Sequence, residues 1–200
     1  MLVVSGLPGS GKSTLINRAV AAAGRGGGTV RRVDSQDVRE QWERVLPSWL
    51  PYAVYRPLVR AVHYVRLGRA LRLSAGAVVH DCGSQAWVRR WAAHAAGRRD
   101  RALRMVLLDV PPEEALAGQA ARGRGVSRRA FARHRRAIGR LVAEARDGRM
   151  PRGCASMLLL DREAASRLGA ITFGRGPVRL IDRPAPPHHD RPVPRPRRYR

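Results

Sequence analysis

Lysine is almost absent from this chain. Of 39 basic residues in 200, only Lys12 is a lysine, and the other 38 are arginines. Carboxylates are scarce as well, 15 against those 39, which leaves a formal net charge of +24. The two cysteines, Cys82 and Cys154, exclude a disulfide scaffold and a four-cysteine zinc site, and a reducing cytoplasm is the default expectation. No apolar run approaches the roughly 18 residues of a membrane-spanning helix. No basic segment followed by an apolar core opens the chain, so no removed targeting peptide is expected.

What is present has a globular composition, 44% hydrophobic and 27% charged. Apolar runs at 105–110 and 157–160 need burial, which excludes a wholly disordered chain. The excess of Arg, Ala, Gly and Pro beside one lysine matches the coding bias of a GC-rich genome. The charge of +24 is therefore a weaker pointer to nucleic acid than its size implies.

Short apolar runs alternate with helical spacing along the chain. Strands are expected at 1–5, 29–33, 75–80, 104–110 and 156–160, and helices at 12–23, 38–44, 58–73, 87–97, 127–145 and 162–168. Leu58, Val59, Val62, Val65, Ala70 and Leu71 mark the apolar residues of one helix, Trp87, Trp91 and Ala95 one face of the next. Pro47, Pro51 and Pro57 read as punctuation of an irregular stretch. Pro111 and Pro112 before Glu113 and Glu114 mark a further helix start. Ser127 and Asp161 are expected to cap the helices that follow them. This alternation indicates an α/β fold with a parallel sheet. Residues 1–173 form the expected domain, and 174–200, rich in Pro and Arg, an expected disordered tail.

Gly6-Leu7-Pro8-Gly9-Ser10-Gly11-Lys12-Ser13 matches G-x-x-x-x-G-K-S/T between an expected strand and an expected helix. Glycines let backbone N–H groups curl around a polyphosphate, and the helix that follows points its positive end at the same anion. In this motif the lysine reaches the β- and γ-phosphates and the hydroxyl of Ser13 ligates Mg²⁺. The single lysine falls where a compact ammonium is required. ATP and Mg²⁺ are the expected cofactors, held by 6–13 together with Thr14.

The loop and the segments after it resemble P-loop kinases, in particular small ATP-binding AAA-domain kinase-like proteins related to polynucleotide kinases and zeta-toxin-like kinases. The resemblance covers about 1–170. It rests on 6–14, on Val33-Asp34-Ser35-Gln36-Asp37-Val38-Arg39, on Val78-Val79-His80-Asp81, on Leu107-Leu108-Asp109-Val110-Pro111 and on Arg122-Gly123-Arg124. It implies a three-layer α/β/α P-loop NTPase sandwich with a five-stranded parallel sheet ordered 2-3-1-4-5. It also implies an acceptor over the carboxyl ends of the strands, and an arginine-bearing lid.

Related kinases place an Asp-x-x-Arg segment after strand two, its Asp taking the acceptor proton and its Arg holding an acceptor anion. Arg39 matches that Arg, but Gln36 stands where the Asp belongs, and glutamine is no base. Asp34 and Asp37 are the two substitutes, with helix capping as the alternative for either. Asp81, at the end of an apolar strand, is the candidate partner of Ser13 at Mg²⁺, with Asp109 as competitor. Lid arginines Arg122 and Arg124 are candidates to neutralise a transferring phosphoryl group.

Trp42, Trp49, Tyr52, Tyr55 and Tyr64 cluster where these kinases build an acceptor pocket, and packing between helices is their other reading. Three functions follow: an ATP-dependent phosphotransferase acting on a nucleoside, a nucleic-acid end or another small hydroxyl acceptor; an ATPase or switch without transfer; and a nucleic-acid-associated ATP-binding protein using the basic tail.

Overall fold

The computed structural model describes residues 1–23, 30–73, 76–80, 85–123, 125–171 and 180–182. Five strands form one parallel sheet: β1 (Leu2–Gly6), β2 (Val30–Asp34), β3 (Gly76–His80), β4 (Arg104–Leu108) and β5 (Ser156–Leu160). Their order is β2-β3-β1-β4-β5, the order the resemblance implied. Register places Val4 beside His80 and Gly6 beside Leu108, so the carboxyl ends of β3, β1 and β4 form one rim.

Alternation along β1 explains the layering, because successive side chains of a strand point to opposite faces. Leu2 and Val4 pack with Leu15 and Ile16 of α1 (Lys12–Ala23) on one face. Val3 packs on the other with Leu67, Ala70 and Leu71 of α3 (Tyr52–Leu73). Further along that second face, Phe131, Ile138, Leu141 and Val142 of α6 (Arg128–Arg146) pack with Leu107. The remaining helices are α2 (Ser35–Val45), α4 (Ala86–Gly97), α5 (Pro112–Ala120) and α7 (Arg162–Arg167). Asp161 caps α7 by accepting from Ala164 N at 2.7 Å, and Ser127 caps α6 by accepting from Ala130 N at 3.3 Å.

Three local expectations are corrected. First, α3 begins at Tyr52 and carries Pro57 inside it. Proline lacks the N–H that the carbonyl four residues earlier would accept. Pro57 is exposed, and Tyr55 and Val59 on the other side are buried against Val38, so packing carries the helix through the proline. Second, α4 buries Val88, Ala92 and Ala96, while Trp87 and Trp91 face outward. On α3, too, Leu58 and Val65 lie on the solvent side. Third, residues Leu180–Asp182 within the expected tail form β7, antiparallel to β6 (Leu168–Ile171). The rest of 174–200 lies outside the described residues.

Candidate phosphate-binding site

The glycine-rich loop joins β1 to α1 and is closed by Ser10 N donating to the carbonyl of Leu7 at 3.1 Å. Lys12 is buried, 6% exposed, and its Nζ donates to the carbonyls of Gly6 at 2.9 Å and Leu7 at 2.6 Å. The ammonium is thus folded against the loop it serves. Gly9 has φ +88° and lies hard against α5, where a Cβ would sit 1.9 Å from the carbonyl oxygen of Ala115. Gly118 meets the loop from the other direction, and its Cβ would stand 2.5 Å from the carbonyl oxygen of Gly9. Two glycines therefore set the closeness of loop and helix. The fit to a nucleotide's phosphates rests on this cradle, on the buried ammonium and on the start of α1 behind it.

A residue that motif reading passes over ties this loop to the basic connector. Gln119, 8% exposed, donates from Nε2 to the carbonyl of Pro8 at 3.1 Å and accepts at Oε1 from Val126 N at 3.0 Å. The only sequence signal is a polar residue in the middle of the otherwise apolar run 115–121. Arg122 is exposed at the end of α5, four residues before Val126. Arg124 lies outside the described residues.

At the end of β2, Asp34 is 3% exposed and caps α2 by accepting from Gln36 N at 2.9 Å. Its other oxygen accepts from Arg32 Nη2 at 3.0 Å and lies 2.7 Å from Nδ1 of its register partner His80. Burial works against the charged form. The contacts from His80, Gln36 N and Arg32 outweigh it and hold the carboxyl at about 2, below the ordinary 3.8. Asp37 sits in the first turn of α2 with its side chain half exposed, 3.9 Å from the same Arg32 nitrogen. Arg32 thus brings both candidate bases to one place. Arg39 turns the other way: its Nε donates to Glu43 at 2.6 Å and its guanidinium lies 4.4 Å above the Tyr52 ring. An acceptor anion would share Arg39 with those two partners.

Asp81 lies outside the described residues, as do Cys82 and Ser84. Asp109 forms an ion pair with Arg146 at 2.6 Å. Both β3 and β4 flank β1, so adjacency to the loop strand does not by itself separate Asp81 from Asp109. A recess of about 410 Å³ opens beside the loop at the end of β4, lined by Leu7, Leu108, Asp109, Arg135, Ile138 and Arg146. No group of three or more His, Cys, Asp or Glu side chains among the described residues could hold a metal ion.

The parallel sheet, its strand order and the loop define a P-loop nucleotide-binding protein of the kinase-like class. A family model described as an AAA domain matches residues 1–144, and the chain belongs to that family. No curated protein sequence matches it. Among solved structures it is similar to a chain of the PezAT chromosomal toxin–antitoxin system of Streptococcus pneumoniae. The TM-score there is 0.62 at 14% identity, over 82% of this chain and 67% of that one. The Deinococcus radiodurans tunicamycin resistance protein aligns over 82% of this chain and 91% of its own, with TM-score 0.44 and 13% identity. No described helix is long and apolar enough to cross a membrane.

Proposed function

We propose that this protein is an ATP-dependent phosphotransferase acting on a hydroxyl acceptor. The observation that carries the reading is the Arg32 tie, which holds Asp34 and Asp37 together at the carboxyl end of β2, on the rim that also presents the phosphate loop. An ATPase needs the loop; a paired carboxylate site two strands away is what an acceptor requires.

In this reading 6–14 hold the triphosphate through backbone N–H groups, and Lys12 leaves its loop carbonyls for the β- and γ-phosphates. Ser13, with Asp81, would hold Mg²⁺, which offsets charge on the phosphate oxygens. Asp37 faces the acceptor because its side chain is accessible, whereas Asp34 is enclosed by three donors and positions Arg32 and His80. The acceptor hydroxyl passes its proton to the Asp37 carboxylate as its oxygen bonds to the γ-phosphorus. The bond from that phosphorus to the β–γ bridging oxygen breaks, and ADP leaves. Arg122 and Arg124 would supply positive charge to the transferring group, where charge counts most.

The test is label transfer from γ-labelled ATP to pools of nucleosides, oligonucleotides and sugar nucleotides, with Lys12→Ala as control. Transfer that requires Lys12 supports the reading. Release of free phosphate without transfer to any pool supports a hydrolytic switch instead, the reading that Gln36 in place of the Asp of Asp-x-x-Arg favours.

A further inference from the structure

We propose that the outer groove between α3 and α4 binds single-stranded nucleic acid, stacking a base on its aromatic wall and holding phosphates with Arg69 and Arg72. The groove encloses about 690 Å³ and is lined by Tyr64, Val65, Gly68, Arg69, Arg72 and Trp91. Residues 65, 68, 69 and 72 form one stripe of α3 at helical spacing, opposite the stripe that buries Leu67, Ala70 and Leu71. Across from them stand the tryptophans of α4, with Trp87 half exposed at 51% and Trp91 at 36%. Tyr64 makes T-shaped contacts with both, its centroid 5.3 Å from Trp87 and 6.4 Å from Trp91, so the three rings support one another, and both tryptophans keep exposed ring surface.

Two features point to a base rather than to a protein or a second copy of this chain. A recess with Tyr64 and Trp91 in its wall offers aromatic contact to a planar group, and every base has a π-face. Charge supplies the rest. Residues 44–99 contain ten arginines and a single carboxylate, Asp81. An arginine-for-lysine habit explains which cation is used, but not the lack of acids. A second copy would bring the same charge and repel.

Gly68 supplies a clean handle on the groove. A Cβ there would meet Trp91 and Arg72 Nη2 at 3.9 Å, which is ordinary contact, so a larger side chain enters the groove without disturbing the helix backbone. Glycine inside a helix is also unfavourable relative to residues with a side chain, so its replacement favours the helix.

The experiment titrates the full chain, without ATP, against a fluorescent single-stranded oligodeoxyadenylate of about 12 nucleotides at about 0.15 M salt. Binding is expected, with an abasic strand of equal charge at least about tenfold weaker. Arg69→Gln/Arg72→Gln weakens binding about tenfold and lowers the salt slope by about 1.4, the release expected from two phosphate contacts. Gly68→Leu weakens binding to a similar degree with an unchanged or higher melting temperature. A matched pair on α6, Arg136→Gln/Arg140→Gln, changes affinity less than about twofold. The proposal is overturned if the chain does not bind the strand. It is overturned if the abasic strand or anionic vesicles bind equally well, or if the α6 pair costs as much as the α3 pair. Displacement by free AMP at concentrations equal to the strand assigns the groove to a mononucleotide and overturns the polymer. Should Gly68→Leu fail to fold, the arginine pair decides. None of these readings depends on phosphoryl transfer.

Discussion

At the scale of single residues, the one lysine and two aspartates divide the work. Lys12→Ala is expected to lower ATP affinity at least about tenfold while leaving the circular-dichroism melt close to the parent, and Lys12→Arg does not restore it, because a planar guanidinium does not fit where a compact ammonium folds into the loop. Titration calorimetry reads both. Asp34 makes the opposite kind of contribution. Its carboxyl stands at about 2 in the folded chain against an ordinary 3.8, so its ionic contribution is complete above about pH 4 and is lost as pH falls towards 2. That contribution is about 2 kcal/mol. Urea denaturation of Asp34→Asn is therefore expected to show lower stability near neutral pH, and a difference from the parent that shrinks below pH 4. A constant difference across that range contradicts the ion-pair account. Both aspartates were legible as candidates in the sequence, and so was the cap. The pairing of Asp34 with His80 was not, because it depends on β2 and β3 lying side by side in register.

At the scale of elements, α5 decides how the phosphate loop and the basic connector are coupled. Gln119 bonds to Pro8 on one side and Val126 on the other, so Gln119→Ala removes both contacts and leaves a part-buried carbonyl and N–H without their protein partner. Each lost partner costs about 1 kcal/mol or more. The expected phenotype is a raised KM for ATP and faster proteolytic cleavage near Arg122, with Gln119→Glu recovering the Val126 bond alone. Cleavage and KM both unchanged would mean that the connector is not tied through Gln119. Gly118→Ala is expected to be more severe for nucleotide binding than for helix content, since the added methyl falls 2.5 Å from the carbonyl oxygen of Gly9. Most elements were readable from hydrophobic period, strand order included once the family was recognised. The misreadings have one cause. Pro57 and the outward tryptophans of α4 sit where local pattern and tertiary packing disagree, and packing decides.

At the scale of the whole molecule, charge and fold separate into two stories. The sheet places the phosphate loop and the carboxyl end of β2, with Asp34, along one rim, and the chain belongs to a P-loop family. The charge of +24 is spread along the chain. Two stretches are nearly or wholly free of carboxylates: 44–99, with ten arginines, which builds the outer helices α3 and α4, and 115–143, with eight, which holds the connector and most of α6. The acid-poor stretches are legible in the sequence, whereas the groove that gathers Arg69, Arg72 and Trp91 is visible only on the fold.

The central claim is that the paired carboxylates at β2 serve an acceptor, and the most direct measurement compares label transferred to acceptor with free phosphate released, in the parent and in Asp37→Asn. The account predicts that transfer exceeds hydrolysis in the parent once an accepted hydroxyl compound is present. In Asp37→Asn transfer then falls about a hundredfold, the scale of a lost general base, with ATP affinity and melting temperature unchanged. Free phosphate as the sole product with every acceptor pool, or transfer that is indifferent to Asp37→Asn, contradicts it.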